Sequence, residues 1–408
     1  MKVLESHFFV LMSVLLFAMY FQGCRNAYKG PPSDHYDGSR FFNSEPDHTF
    51  MDMVKWLWEM ETVPWPEWIE DPGQPPLVES VGKGVLRVTF INQATVLIQM
   101  DGLNILTDPI WSFRASPVSW AGPKRVRAPG VRMDELPKIH YVLISHDHHD
   151  HLDLNSLKKI VKRHRPTILV GLGVKALLSA KGLERVEEMD WWQEHRPDIA
   201  EIGFTFAPAR HNSGRWPFMK NKTLWGGFVI ESPSGQVYFA GDTAYGGSLS
   251  SISERFNRIR LAILPIGSYE KRWFMKSQHM NPHDAVRAHK LIKAHQSIGV
   301  HFGTFAEHPE QAIDTHEKDL SDALEKYNVP PSRFWILQFG EGRDVSPLPA
   351  SARDMSDSGK PRNNHDVTGS LPDPLISRLL PKVSDGGLSM INPHENSNLR
   401  GGEDLGSE

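Results

Sequence analysis

Apolar residues recur along this chain with two periods. Residues 85–91, 94–100 and 103–107 are short apolar runs that predict successive β-strands, with Asp101-Gly102 as a hairpin turn. Residues 139–144 predict a buried strand that closes at Ser145. Later strands are predicted at 167–170, 204–207, 226–231, 236–240, 261–265, 297–301 and 333–338. Between several of them, helical spacing appears over 154–163, 173–181, 249–257, 283–294 and 316–327. Strands alternating with helices indicate an α/β layered fold. Early hairpins and mid-chain strand–helix units fit two similar halves, without a tandem repeat.

The flanks read differently. Residues 8–21 form an apolar run of fourteen residues preceded by Lys2. That is short for a membrane span and suits a signal-peptide core. Phe21-Gln22-Gly23-Cys24 resembles a bacterial lipobox, although Phe21 and Gln22 depart from the usual Leu and small residue. Residues 1–24 are therefore expected to be a signal peptide or a membrane or lipoprotein anchor. A membrane-associated protein follows, held through Cys24 as a bacterial lipoprotein or through the N-terminal run; peripheral cytoplasmic attachment is the alternative. Residues 25–84 read as a polar tether followed by a Trp-rich amphipathic segment. In it Met53, Trp56, Leu57, Met60 and Val63 share a helical face, and Trp56, Trp58, Trp65 and Trp68 crowd together. Such a segment either lies at a membrane–water boundary or wraps the main domain and buries its Trp side chains. Residues 346–408 are rich in Ser, Pro, Gly, Asn and Asp, and a disordered tail is expected there, with at most a short helix at 375–380. The main folded domain is left as 85–345.

The strand at 139–144 runs into His146-Asp147-His148-His149-Asp150-His151. Four metal-capable side chains in H-x-H-x-D-H spacing thus fall in a strand-to-helix turn, where neighbouring side chains can converge on one point. Imidazole suits zinc and other first-row metals, and a carboxylate adds charge and a bridging option. The chain has one cysteine, so any metal must be held by His and Asp, and no intramolecular disulfide is possible. With 39% hydrophobic and 23% charged residues a large core can form, and a net charge of −4 excludes a general nucleic-acid binder. His211, Asp242 and His301 each follow a predicted strand, as the first motif does. In α/β sheets sites gather beyond strand ends, so these residues read as one constellation.

H-x-H-x-D-H, then His, then Gly-Asp-Thr, then His, in this order, resembles the metallo-β-lactamase fold. Over residues 85–343 the resemblance narrows. Leu106-Thr107-Asp108-Pro109-Ile110, Gly122-Pro123-Lys124-Arg125, Phe239-Ala240-Gly241-Asp242-Thr243, Arg272-Trp273-Phe274-Met275 and His301-Phe302-Gly303-Thr304-Phe305 are similar to segments of the N-acylphosphatidylethanolamine-hydrolysing phospholipase D family. That resemblance implies a four-layer αβ/βα sandwich of two mixed β-sheets flanked by helices. It implies two zinc ions, one on His146, His148 and His211, the other on Asp150, His151 and His301, with Asp242 bridging. It also implies a zinc-dependent phosphodiesterase that releases N-acylethanolamine and phosphatidic acid from a phospholipid at a membrane surface, and a possible homodimer. Asp242 and His279 become the candidate catalytic residues. Arg215, Lys124 and Arg125 are candidate substrate contacts, and Asp108 and Asp147 are candidates for orienting the ligand rings. The chain departs from the family at Asn92-Gln93, where Gly-His is usual, at Ser119-Trp120, and after His211, where only Arg215 matches. These departures bear on headgroup selectivity. Another hydrolase of the same fold (a lactonase, an amidase or a soluble-phosphodiester hydrolase) and a non-catalytic lipid-binding lipoprotein are the rival readings.

Overall fold

Strand by strand, side chains alternate between two cores. In a computed structural model describing residues 28–46, 48–197, 201–216, 219–306 and 311–349, Tyr141 and Leu143 face one core while Val142 and Ile144 face another. These four residues form strand β4 (Tyr141–Ile144). It lies in a seven-stranded sheet with β1 (Leu86–Asn92), β2 (Thr95–Met100), β3 (Leu103–Thr107), β5 (Thr167–Gly171), β6 (Val186–Met189) and β14 (Gly342–Asp344), in the order β14-β1-β2-β3-β4-β5-β6. The second sheet also has seven strands: β7 (Glu194–His195), β8 (Gly203–Ala207), β9 (Gly227–Ser232), β10 (Gly235–Phe239), β11 (Ile259–Pro265), β12 (Gln296–Val300) and β13 (Phe334–Trp335), ordered β13-β12-β11-β10-β9-β8-β7.

The two sheets share a pattern. Apart from the closing antiparallel pair β14–β1, each passes from antiparallel pairing in its early strands to parallel pairing in its later ones, at β3–β4 in the first and at β10–β11 in the second. Asp101 and Gly102 both have positive φ, 48° and 87°, as a two-residue hairpin between β2 and β3 requires.

One apolar core lies between the sheets and holds Val96, Ile98, Phe204, Phe228 and Ile263. The first sheet's outer face is covered by α2 (Leu154–His164) and α3 (Val174–Ser179), which bury Leu157, Ile160, Val174 and Leu178. On the second sheet lie α4 (Gly247–Arg255), α6 (Pro282–Leu291) and α7 (Thr315–Lys326), burying Leu249, Ile252, Val286 and Leu320. The result is the expected α/β sandwich of two mixed sheets flanked by helices. A short α5 (Arg272–Met275) precedes His279.

The N-terminal region corrects two expectations. Residues 28–46 are packed down rather than free as a tether. Tyr36 and Phe41 are buried, and His35 reaches Asp190 at 2.8 Å. The Trp-rich helix, α1 (Phe50–Trp58), opens with a capping box between Thr49 and Asp52 but stops five residues short of Val63. Pro64 and Pro66 disfavour helix just beyond. Trp56 stacks on Phe274 at 5.1 Å, and Trp65 donates to Gln311 O at 2.7 Å, so the segment does wrap the domain. Met51, Met53, Val54, Leu57 and Trp58 remain exposed on α1. Among the described residues no helix is long and apolar enough to cross a membrane. The run at 8–21, Cys24 and the expected helix at 375–380 lie outside the described residues.

Candidate metal centre

All seven predicted donors meet where strand ends of the two sheets face each other. Five are buried: His146, His151, His211, Asp242 and His301. Asp150 is buried but for a small opening, and His148 is half-buried.

The first group is His146, His148 and His211. His146 Nδ1–H donates to Ser145 Oγ at 2.9 Å, and His211 Nδ1–H donates to the Gln278 carbonyl at 3.1 Å. Those bonds fix both tautomers and turn each Nε2 lone pair inward. His148 Nδ1 then lies 2.8 Å from His146 Nε2 and 3.3 Å from His211 Nε2. Burial holds the His146 imidazole well below its usual pKa and pushes His211 down to about 3, Asp242 opposing in both cases. The group therefore presents neutral rings whose lone pairs converge, an arrangement that a cation relieves.

The second group is Asp150, His151, Asp242 and His301. His151 Nε2 is 2.9 Å from Asp150 Oδ2 and 3.2 Å from Asp242 Oδ2, and His301 Nε2 is 3.1 Å from each of those oxygens. Burial alone would lower the His301 imidazole, but Asp242 and Asp150 outweigh it and raise it to about 10. Burial would likewise raise Asp242, yet His151 and His301 hold it well below the carboxylate range. Two buried carboxylates thus demand positive charge at this point. Asp242 Oδ2 also lies 4.0 Å from His146 Nε2 and 3.8 Å from His211 Nε2, so one oxygen borders both groups. Its other oxygen, Oδ1, is buried with no hydrogen-bond partner. These donors fit a divalent metal.

Local backbone explains the convergence. Gly241 adopts φ +60°, and a Cβ there would sit 2.5 Å from Ser145 Cβ, so glycine lets the Asp242 turn press against the His146 turn. His301 itself has φ +65°, a conformation costly outside glycine that is held by its N–H donating to Gln93 O at 2.7 Å.

The candidates beyond the donors part ways. Asp108, at the end of β3, accepts from His151 Nδ1–H at 2.7 Å and from Ser145 Oγ at 2.5 Å, as an orienting group should. Asp147 instead accepts from the Gly214 N–H at 2.7 Å and touches no donor ring. His279 Nδ1 lies 3.9 Å from Asp242 Oδ2, within the site. Lys124 is exposed. Arg125 is not at the surface: its guanidinium is buried and donates to the carbonyls of Ser112, Ile110 and Arg127, so it acts as a strut of the 110–127 loop. Arg215 donates to backbone carbonyls of the metal turn. Gln93 was noted in the sequence only as a departure; its Nε2 donates to Asp150 Oδ2 at 3.0 Å. Its position directly before β2, next to the site in the family pattern, was the available signal.

This fold and donor set define a metal-dependent hydrolase of the β-lactamase superfamily, whose domain model matches residues 103–302. A metal-dependent hydrolase from Veillonella parvula, described as possible, superposes with a TM-score of 0.53 at 20% identity, covering 64% of this chain and 99% of that one. N-acyl-phosphatidylethanolamine-hydrolyzing phospholipase D 1 of Caenorhabditis elegans is 38% identical over 271 residues, which are 63% of this chain and 75% of the worm protein. The mitochondrial N-acyl-phosphatidylethanolamine-hydrolyzing phospholipase D of Saccharomyces cerevisiae is 35% identical over 237 residues, covering 56% of this chain and 50% of the yeast protein. The chain belongs to the N-acylphosphatidylethanolamine-hydrolysing phospholipase D family.

Proposed function

We propose that this protein is a dinuclear zinc phosphodiesterase that cleaves N-acylphosphatidylethanolamine at a membrane surface, giving N-acylethanolamine and phosphatidic acid. The observation that carries this reading is Asp242 Oδ2, which borders an all-imidazole group on one side and a carboxylate-rich group on the other. His146, His148 and His211 would hold one ion, Asp150, His151 and His301 the other, and Asp242 both.

A zinc pair, when bound, lowers the pKa of water to about 7 and neutralises charge on the phosphate. The chain's own groups do the rest. Asp242 Oδ1, buried without a partner, accepts the proton of the attacking water. Water oxygen joins phosphorus, and the bond from phosphorus to the ethanolamine oxygen breaks. His279, next to Asp242, delivers a proton to that departing oxygen. Asp108, Ser145 and Gln278 hold the donor rings in the tautomers described.

Lipid is the favoured substrate form because large apolar side chains stand in solvent around the domain. Trp58 on α1 is 90% exposed, Trp120 is 79% exposed, and Phe113 is exposed near Trp120 in sequence. The test is product analysis in ¹⁸O water, with zinc-loaded protein acting on vesicles of N-acylphosphatidylethanolamine. Label in phosphatidic acid supports attack at phosphorus. Label in a released fatty acid, or turnover only of soluble bis(nitrophenyl) phosphate, rejects the reading.

A further inference from the structure

Side chains of the metal turn alternate in direction. His146, His148 and Asp150 face the donor cluster. Asp147 and His149 face the segment that follows His211. Asp147 Oδ1 accepts the Gly214 N–H at 2.7 Å. Arg215 Nη1 donates to the carbonyls of Asp147 and Leu152, at 2.8 Å each, and so spans the turn from near its start to just past its end. Arg215 Nη2 donates to His149 Nδ1 at 2.9 Å, and His149 Nε2–H donates back to the Arg215 carbonyl at 3.1 Å. The two joined segments are those that bring His146 and His148 to His211, and the first of them also carries Asp150 and His151.

The other donor group is braced elsewhere. Gln93 holds Asp150 and, through its carbonyl, the His301 amide, and Asp108 holds His151 as well as, through Ser145, His146 of the first group. Neither brace touches Arg215 among the hydrogen bonds described above.

Resting on the two-metal reading, we infer that Arg215, with Asp147 and His149, is a positioning staple for the His146–His148–His211 metal position, while Gln93 positions the other and Asp108 serves both. The two metal positions are then separable by mutation. The planar fork of Arg reaches two carbonyls and an imidazole at once, which the single ammonium of Lys cannot reproduce. Arg215 also lines a cavity of about 260 Å³ on the outer side of the turn, with Arg114, Leu152, Leu177 and Trp216, and the competing role is a contact to a ligand there.

The experiment uses the full chain loaded with Zn²⁺ or Co²⁺. Metal per chain is counted after dialysis against chelators of graded strength, and cobalt spectra distinguish an all-imidazole position from a carboxylate-rich one. Arg215→Lys and Arg215→Gln are expected to keep one equivalent at wild-type affinity. The imidazole position should bind about 10- to 100-fold more weakly, the usual scale for groups that orient ligands. Gln93→Ala should weaken the opposite equivalent, whereas Asp108→Asn, which reaches His151 directly and His146 through Ser145, should weaken both. Should Arg215→Gln not fold, Asp147→Ala, which removes one bond of the staple, carries the same test with a smaller shift. Retention of both equivalents with only KM raised makes Arg215 a substrate contact and overturns the inference. Parallel weakening of both positions overturns it too, as a general structural role. A wild-type chain that holds a single metal overturns the two-metal reading as well. Two metals in wild type, both retained in Arg215→Gln, overturns the staple alone.

Discussion

Asp242 offers two oxygens in different surroundings. Oδ2 is crowded by five imidazole nitrogens within 4.0 Å, whereas Oδ1 is buried and unpartnered. Asn at this position keeps the shape and one ligating oxygen but loses the charge and the proton acceptor. Asp242→Asn should therefore lower turnover by about 10²- to 10⁴-fold, the range of a lost general base, and by more than it lowers metal content. Measuring both on one preparation decides it, and equal losses refute the base role. Arg125 and Lys124 are adjacent in sequence and opposite in environment. Arg125→Ala strips donors from the carbonyls of Ile110 and Ser112 and should cost about 3 kcal/mol in denaturant unfolding. Lys124→Ala should stay within about 0.5 kcal/mol, as exposed substitutions do. The donors themselves were legible because four adjoin in sequence and the other three follow predicted strands. The backbone partners of Arg125 and Arg215 were not legible, because a basic residue in a loop looks the same whether it faces a phosphate or a ring of carbonyls. Only the folded backbone supplies those carbonyls, from Asp147 and Leu152 in the case of Arg215.

Elements long enough to carry a period were placed within a few residues. Helices expected at 154–163 and 316–327 run Leu154–His164 and Thr315–Lys326. The strands β6, β7 and β14 were not anticipated. They have four, two and three residues with exposed positions, too short to show alternation. The packing of residues 28–46 escaped notice for a related reason, since its apolar anchors, Tyr36 and Phe41, lie in a stretch dominated by polar residues, Pro and Gly and follow no period. This strap carries a pH dependence. Burial would lower the His35 imidazole, but hydrogen bonds to Asp190 and Asp34 outweigh it and raise its pKa above the usual 6.5. The folded strap thus binds a proton more tightly than the unfolded one. Its contribution is full below about pH 6.5 and is lost as pH climbs through the raised value. Hydrogen-exchange protection over residues 33–42 should fall as pH rises from about 6 to about 9, after correction for intrinsic exchange. In His35→Gln the corrected protection should be flat with pH, and an unchanged slope in that variant would remove His35 as the cause.

Across the molecule, the donors tie the two halves together. His146, His148, Asp150 and His151 come from the first sheet's connections, and His211, Asp242 and His301 from the second's. Buried carboxylates and facing lone pairs destabilise the metal-free fold, so metal binding should strengthen contact between the sheets. Stripping the protein with a chelator should lower Tm, and adding back Zn²⁺ should raise it with concentration. At free metal about a thousandfold above Kd the gain is about 4 kcal/mol per site. A Tm indifferent to metal would mean the donors are satisfied without it.

The strand β14 adds a temporal consequence. It closes the outer edge of the first sheet by pairing Arg87 with Asp344, Val88 with Arg343 and Thr89 with Gly342. During synthesis, β1 leaves the ribosome about 250 residues before its neighbour exists. Until then its rim carries open amide and carbonyl groups, a template for pairing with another nascent chain. Translation halted between His301 and Gly342 leaves that rim bare even though every metal donor has already been made, so such truncated products are expected to self-associate rather than accumulate as dispersed, metal-binding fragments.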